Sequence, residues 1–262
     1  MNFEFSWEEY YENTFDHHNR TDFTNPDKYY ISDITSSQGS RFIDFVQGAT
    51  TSIKILLESS LFHSNNIGSA PTIDGKIGLG GNIYMRAQLD IVQNKICSYN
   101  CSSSDFGQHC YVATLSRYLL YKNYNYLSSY TSMGDPAAKG FAPICHGNGE
   151  VIINNANISD NRANAYCGSY IGDSYFPGNI SQTSFINNSA TIKTCVSFTG
   201  GNTFSFIKSN FLNNKVSDRL LQVSSPNISI IDSIIMNNIA TNTFYTNGKV
   251  VYLIHSIVII QG

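Results

Sequence analysis

Beyond residue 50 one short pattern of apolar and polar positions keeps returning: an apolar residue, two variable places, then asparagine. Aligned on the closing residue, the copies pair Phe62 with Asn65, Ile91 with Asn94, Leu120 with Asn123, Ile158 with Asn161, Phe185 with Asn188, Phe211 with Asn214 and Ile235 with Asn238. In a last copy Val258 and Gln261 take the two places. The copies are 29, 29, 38, 27, 26, 24 and 23 residues apart, and periods of this size signal a solenoid or an array. Eight and ten places before the asparagine the chain reads Leu57/Ile55, Ile153/Val151, Phe206/Phe204, Ile230/Ile228 and Leu253/Val251. That alternation marks a strand with one buried face. Five places before the asparagine stands a small residue: Ser60, Ala156, Thr183, Ser209 or Ser233. The second copy departs from these columns, with Arg86 and Leu89 in the apolar and small places; Ile83 and Met85 alternate one place over, which reads as a local shift or bulge.

Each copy therefore predicts a strand, a bend at the small residue, a short strand ending at the asparagine, and a polar return. One copy cannot bury its apolar face alone, whereas stacked copies can, each against its neighbours. The apolar residue of the tetrad then fills an interior stack. The asparagine lies at a turn, where its side chain bonds backbone and tolerates left-handed geometry, and stacked amides bond one another as in cross-β ladders. The predicted fold is all-β: a right-handed parallel β-helix of roughly eight rungs, similar to the pectate-lyase-like architecture. A β-sandwich is the alternative, but its turn signals carry no fixed asparagine register.

Composition agrees. Of 262 residues 42% are hydrophobic and 13% charged, with a net charge of −3. The first figure supplies a core, and the absence of a basic excess argues against nucleic acid as partner. Outside the repeat, residues 1–48 are predicted to be an N-terminal cap and loop, with residues 49–262 the β-helix. Ser6 and Glu9 fit a capping box, so a helix is expected over residues 6–15, covering the first rung. The N-terminus has no signal-peptide pattern. The apolar C-terminal stretch from 249 is interrupted by His255 and Ser256 and is too short to span a membrane. It reads as a last rung, and its edge invites end-to-end self-association. The longest step places an inserted loop at 124–149, rich in tyrosine, glycine and proline, and loops on a rigid scaffold are where binding concentrates. Tyr126, Tyr130 and His146 are its candidate binding residues.

Catalytic chemistry is thinly signalled. Cys97, Cys101, His109 and Cys110 have zinc-ligand character, but their spacing matches no common finger. Cys101, Cys167 and Cys195 fall in one column of the repeat, which predicts stacked core thiols. In an oxidising compartment Cys97–Cys110 or Cys110–Cys145 would be the bridges, lying outside that column. Asp160, Asp173, Asp218 and Asp232 are scattered, whereas glycosidases place two carboxyls together. His17 and His18 beside Asp16 have ligand character but read as a solvated helix end. The six glycosylation sequons are no more than this composition produces by chance. No catalytic residue, metal ligand or cofactor is expected.

The tetrads, together with the glycine pairs "GGNIY" at 80–84 and "GGNTF" at 200–204, resemble the F-x-x-N and G-G-x-I repeats of the polymorphic outer membrane proteins. These are bacterial surface passengers, and similar surface families occur in parasitic protists. The resemblance covers residues 50–261. Asparagine follows each glycine pair where the family has alanine, and the family's signal peptide and membrane barrel have no counterpart here. Membership implies a cell-surface or extracellular β-helix used for adhesion or display without catalysis, with a protein or glycan as partner. The alternative is a carbohydrate-active enzyme, a polysaccharide lyase or glycoside hydrolase, on the same fold.

Overall fold

The computed structural model describes residues 17–23, 28–39, 41–47, 52–115, 119–134, 140–200, 203–224, 227–248 and 250–260. Among them the only regular elements are strands, and every strand pairing is parallel. The chain winds as a β-solenoid of about eight turns with three faces. The first face runs through Lys28–Ser32, Ser52–Glu58, Lys122–Tyr126, Glu150–Asn154, Gly178–Ser181, Thr203–Ile207, Asn227–Ile231 and Val251–Ile254. The second is a nine-stranded sheet of short strands, from Thr35–Ser37 to Ile257–Ile260. The third includes Phe106–Thr114, Ala142–Gly147, Tyr166–Gly172, Thr194–Phe198 and Arg219–Val223. The long strand Ile83–Asn94 serves the third face with its first half and the first face with its second.

The tetrads of residues 158–238 do what their spacing predicts. Phe185 pairs with Phe211, and Phe211 with Ile235, in the second face. All three are buried, and the two phenyl rings stack at 4.7 Å between centroids. Asn161, Asn188, Asn214 and Asn238 form a buried ladder. The Nδ2 of Asn188 donates to Asn214 Oδ1 at 3.0 Å, and that of Asn214 to Asn238 Oδ1 at 2.9 Å. The Oδ1 atoms of Asn188, Asn214 and Asn238 also accept the backbone N–H of the asparagine one turn earlier, and that of Asn161 accepts the N–H of Met133. Each Nδ2 reaches back to the carbonyl of the preceding turn's apolar residue, as Asn214 does to Phe185. The residue before each of them, Asp160, Asn187, Asn213 or Asn237, takes positive φ, a conformation asparagine and aspartate tolerate best after glycine.

The small-residue column builds a second ladder at the bend between the first two faces. Ser209 Oγ accepts the N–H of Thr183, Ser233 Oγ that of Ser209, and Ser256 Oγ that of Ser233. Each hydroxyl donates to the carbonyl two residues before it. Ahead of every hydroxyl comes another positive-φ residue, Gln182, Lys208, Asp232 or His255. The predicted bend is therefore a single left-handed residue, and the hydroxyl satisfies the backbone groups that the corner frees.

In the second and third copies the alignment is corrected. Ile91 and Asn94 lie in the first face, paired with Ile55 and Glu58. Asn123 lies there too, opposite Ile91, and Leu120 is exposed. The true partners of Phe62 in the second face are Ser98, Tyr130 and then Ile158, so Cys101 and Met133 stand where the asparagine is expected. The cause is physical. Interior places of these turns are polar, and the connections between strands are long, so neither alternation nor a constant period survives. Ile83 and Met85 do alternate inward, but as the third-face half of the long strand. The solenoid also begins earlier than residue 49: Lys28–Ser32, Thr35–Ser37 and Ile43–Val46 already occupy the three faces. Residues 6–15, where a capping helix is expected, lie outside the described residues; His17 and His18, expected at a helix end, instead form a short strand beside Tyr29 and Tyr30.

Candidate functional site

The outer side of the third face carries a groove of about 330 Å³. Strand alternation sends Ile83, Cys110, Ile144, Ile171 and Val196 inward, where they join the core. Their neighbours point out in two columns. One column reads Tyr84, Tyr111, Cys145, Tyr170 and Ser197; the other reads Arg86, Ala113, Gly147 and Gly172. Ala113, Gly147 and Gly172 make a low floor, walled by Tyr111, Tyr170 and Phe106. Phe106 sits 5.1 Å from Tyr170 and stacks on Phe141 at 5.0 Å. Polar groups close the rim: Arg86, Lys76, Asn148 and Asp173. Asn148 is fixed by donating to Thr114 O at 2.7 Å, and Arg86 by Asp74 at 3.6 Å. Burial pushes the Tyr111 phenol up to about 12 and the Cys145 thiol well above its ordinary range. Both are held in the protonated form at neutral pH.

Behind this face lies a buried polar network. Asn82 is its hub. Its Oδ1 accepts from Asn65 at 2.8 Å, and its Nδ2 donates to Ser98 Oγ and His109 Nδ1 at 3.0 and 2.9 Å. The proton of His109 is then on Nε2, which donates to Gln93 Oε1 at 3.0 Å. Nearby, Tyr130 donates to Asn125 Oδ1 at 2.5 Å, and Asn125 Nδ2 donates to His146 Nε2 at 2.8 Å. That leaves the His146 proton on Nδ1, which has no hydrogen-bond partner among the described residues. Burial lowers both imidazoles to about 3, so both are neutral. Asn82 follows the glycine pair for a steric reason. Gly80 has φ +62°, and a Cβ there would stand 2.4 Å from Ile83 O; the tight turn delivers the Asn82 amide to the interior.

The expected binding loop at 124–149 is corrected by this arrangement. Its described residues include 124–126 of the strand Lys122–Tyr126, then Ser129–Thr131 and Ala142–Gly147, strands that occupy the three faces of the solenoid in turn. Tyr130 and His146 are interior and fully buried, joined through Asn125. Tyr126 lies on the outer side of the first face, against Tyr124 at 5.9 Å. The three do not form a site together. Inward-facing polar residues made this turn look like an exposed loop.

The cysteines are free thiols. Cys167 and Cys195 are buried neighbours in the third face, as expected, but Cys101 is not in their column. Cys110 instead shares the column of Val196 and Leu221. Cys110 points inward and Cys145 outward on adjacent strands, so the two sulfurs cannot bridge. Cys97 is exposed and Cys110 buried, and His109 faces Asn82 and Gln93. No group of three metal-ligating side chains assembles among the described residues.

No helix of the described residues is long and apolar enough to cross a membrane. The chain matches no protein-family model, no curated protein and no solved structure.

Proposed function

We propose that the protein is a non-catalytic interaction scaffold at a cell surface, a β-helix of right-handed winding whose third-face groove meets its partner. Right-handedness follows the general rule for parallel strand crossovers. The observation that carries the reading is the make-up of the groove. Its walls are aromatic, and its lining contains one carboxylate, Asp173, whereas acid–base cleavage of a glycosidic bond uses two. The surface setting is supported by the repeat's resemblance to display proteins.

The competing reading is a polysaccharide-cleaving enzyme using the same groove. Incubating the purified chain with a panel of acidic and neutral polysaccharides separates them. The scaffold reading expects no new reducing ends and no unsaturated products. Turnover that disappears in Asp173→Asn would overturn it.

A further inference from the structure

We infer that the third-face groove is a stacking site for an uncharged sugar ring, with Tyr170 as its platform. This rests on the scaffold reading and names the chemistry of the partner.

The geometry of Tyr170 is the starting point. A Cβ on Gly172 would stand 2.7 Å from Tyr170 Cε1 and 3.2 Å from its hydroxyl. The ring therefore lies along its own strand, over Gly172, against the sheet. A ring laid down in this way turns its other face towards the groove. Between Tyr170 and Tyr111 sits only the short side chain of Cys145, so the two tyrosines stand two strand spacings apart, about 9.6 Å. The electron-rich face of an aromatic ring attracts positively polarised hydrogens, and the C–H face of a pyranose presents a patch of them.

The rim supplies the rest. Arg86 donates, Asp173 accepts, and the Asn148 amide does both. Sugar hydroxyls also donate and accept, so a mixed rim around an aromatic platform suits them better than a rim of one kind. Charge points the same way. Arg86 is paired with Asp74, and Lys76 and Asp173 carry opposite signs, so the rim has no net charge to draw in a phosphate or an acidic sugar. A volume of about 330 Å³ is at the small end of ligand pockets and suits one or two rings rather than a long chain.

The test is an NMR titration of the full chain carrying ¹³C-labelled tyrosine. The probes are neutral tetrasaccharides of glucose, mannose, galactose and N-acetylglucosamine, with tetragalacturonate and N-acetyltyrosinamide as the charged and planar alternatives. At least one neutral tetramer is expected to shift the Tyr170 and Tyr111 signals. Tyr170→Ala is expected to weaken its binding about ten-fold, and Tyr170→Phe, which keeps the face, by less than about three-fold. Arg86→Ala, outside the core, serves as a second variant should Tyr170→Ala not fold, and is also expected to weaken binding. Response to none of the neutral tetramers, tighter binding of tetragalacturonate or N-acetyltyrosinamide, or insensitivity to both variants overturns the inference. A neutral tetramer that is bound and then cleaved would instead sink the scaffold reading and leave the sugar site standing.

Discussion

The turns from residue 150 onward and the turns between 83 and 148 share one backbone plan and fill it differently. In the later turns the interior of the first face is Val151/Ile153, Phe204/Phe206 and Ile228/Ile230, and the corners are asparagine and hydroxyl ladders. In the earlier turns the same inward places hold Gln93, Asn123 and Asn125, backed by His109 and His146. The first block is held by repetition, since each residue meets its own kind one turn away. The second is held by a particular network, in which Asn82 joins Asn65, Ser98 and His109, and Asn125 joins Tyr130 to His146. Repetition tolerates noise and leaves a mark on the sequence; a particular network does neither. The groove straddles the join of the two blocks, where Cys145 and Gly147 of the earlier turns and Gly172 of the first later turn interrupt the outward side chains.

The largest expected separation of the two blocks comes from acid. His109 and His146 have folded values near 3 against an ordinary 6.5. The unfolded chain therefore binds more protons between these values. Stability is complete above about pH 6.5 and falls as pH drops through that window, at up to about 1.4 kcal/mol per pH unit for each imidazole. Hydrogen exchange at about pH 4.5 should show residues 83–148 opening before residues 150–260. Equal loss of protection in both blocks would mean that the network is not the weak point.

Within the regular block, Phe211→Ala should cost about 3–5 kcal/mol, the combined transfer and cavity penalty for a fully buried ring, read from urea melts. Asn214→Ala comes next, at about 1–3 kcal/mol. It strips acceptors from the Asn188 backbone and amide and leaves Phe185 O without its donor. A melt unchanged by Asn214→Ala would show that the ladder is decoration on an apolar stack. The smallest effect on the fold is expected over residues 250–260, where Leu253→Lys and Ile257→Lys, both at half-exposed places, should leave the melting midpoint nearly unchanged. By sedimentation they should reduce self-association of the 262-residue chain. A wild-type chain that sediments as a monomer at high concentration would show the edge to be inert.

This contrast explains what could be read from the sequence. Phe185, Phe211 and Ile235 declared their stack because apolar side chains at constant spacing have few other uses, and Asn188 and Asn214 did so because the corner demands the same amide each time. Ser98 and Tyr130 share that column, yet neither resembles phenylalanine and the spacing around them varies. The groove was less legible still. Tyr111, Cys145 and Tyr170 become neighbours only through the register of three strands, and no local pattern joins them. Asn82 carried a signal in hindsight: an amide straight after a glycine pair, where the resembled repeats keep a small apolar residue.

The ladder makes the molecule a ruler graduated in whole turns. Asn188 and Asn214 are 26 residues apart and occupy equivalent places. Excising residues 189–214 would carry Asn188 straight into the following return and bring its amide against Asn238. Each hydrogen bond of the missing turn is then replaced by its equivalent from the next, and the body shortens by one strand spacing, about 4.8 Å. A comparable excision around Asn82 or His109 finds no substitute partner. Length is therefore free to change by duplication or loss at the regular end, while the turns bearing the groove have to be inherited intact.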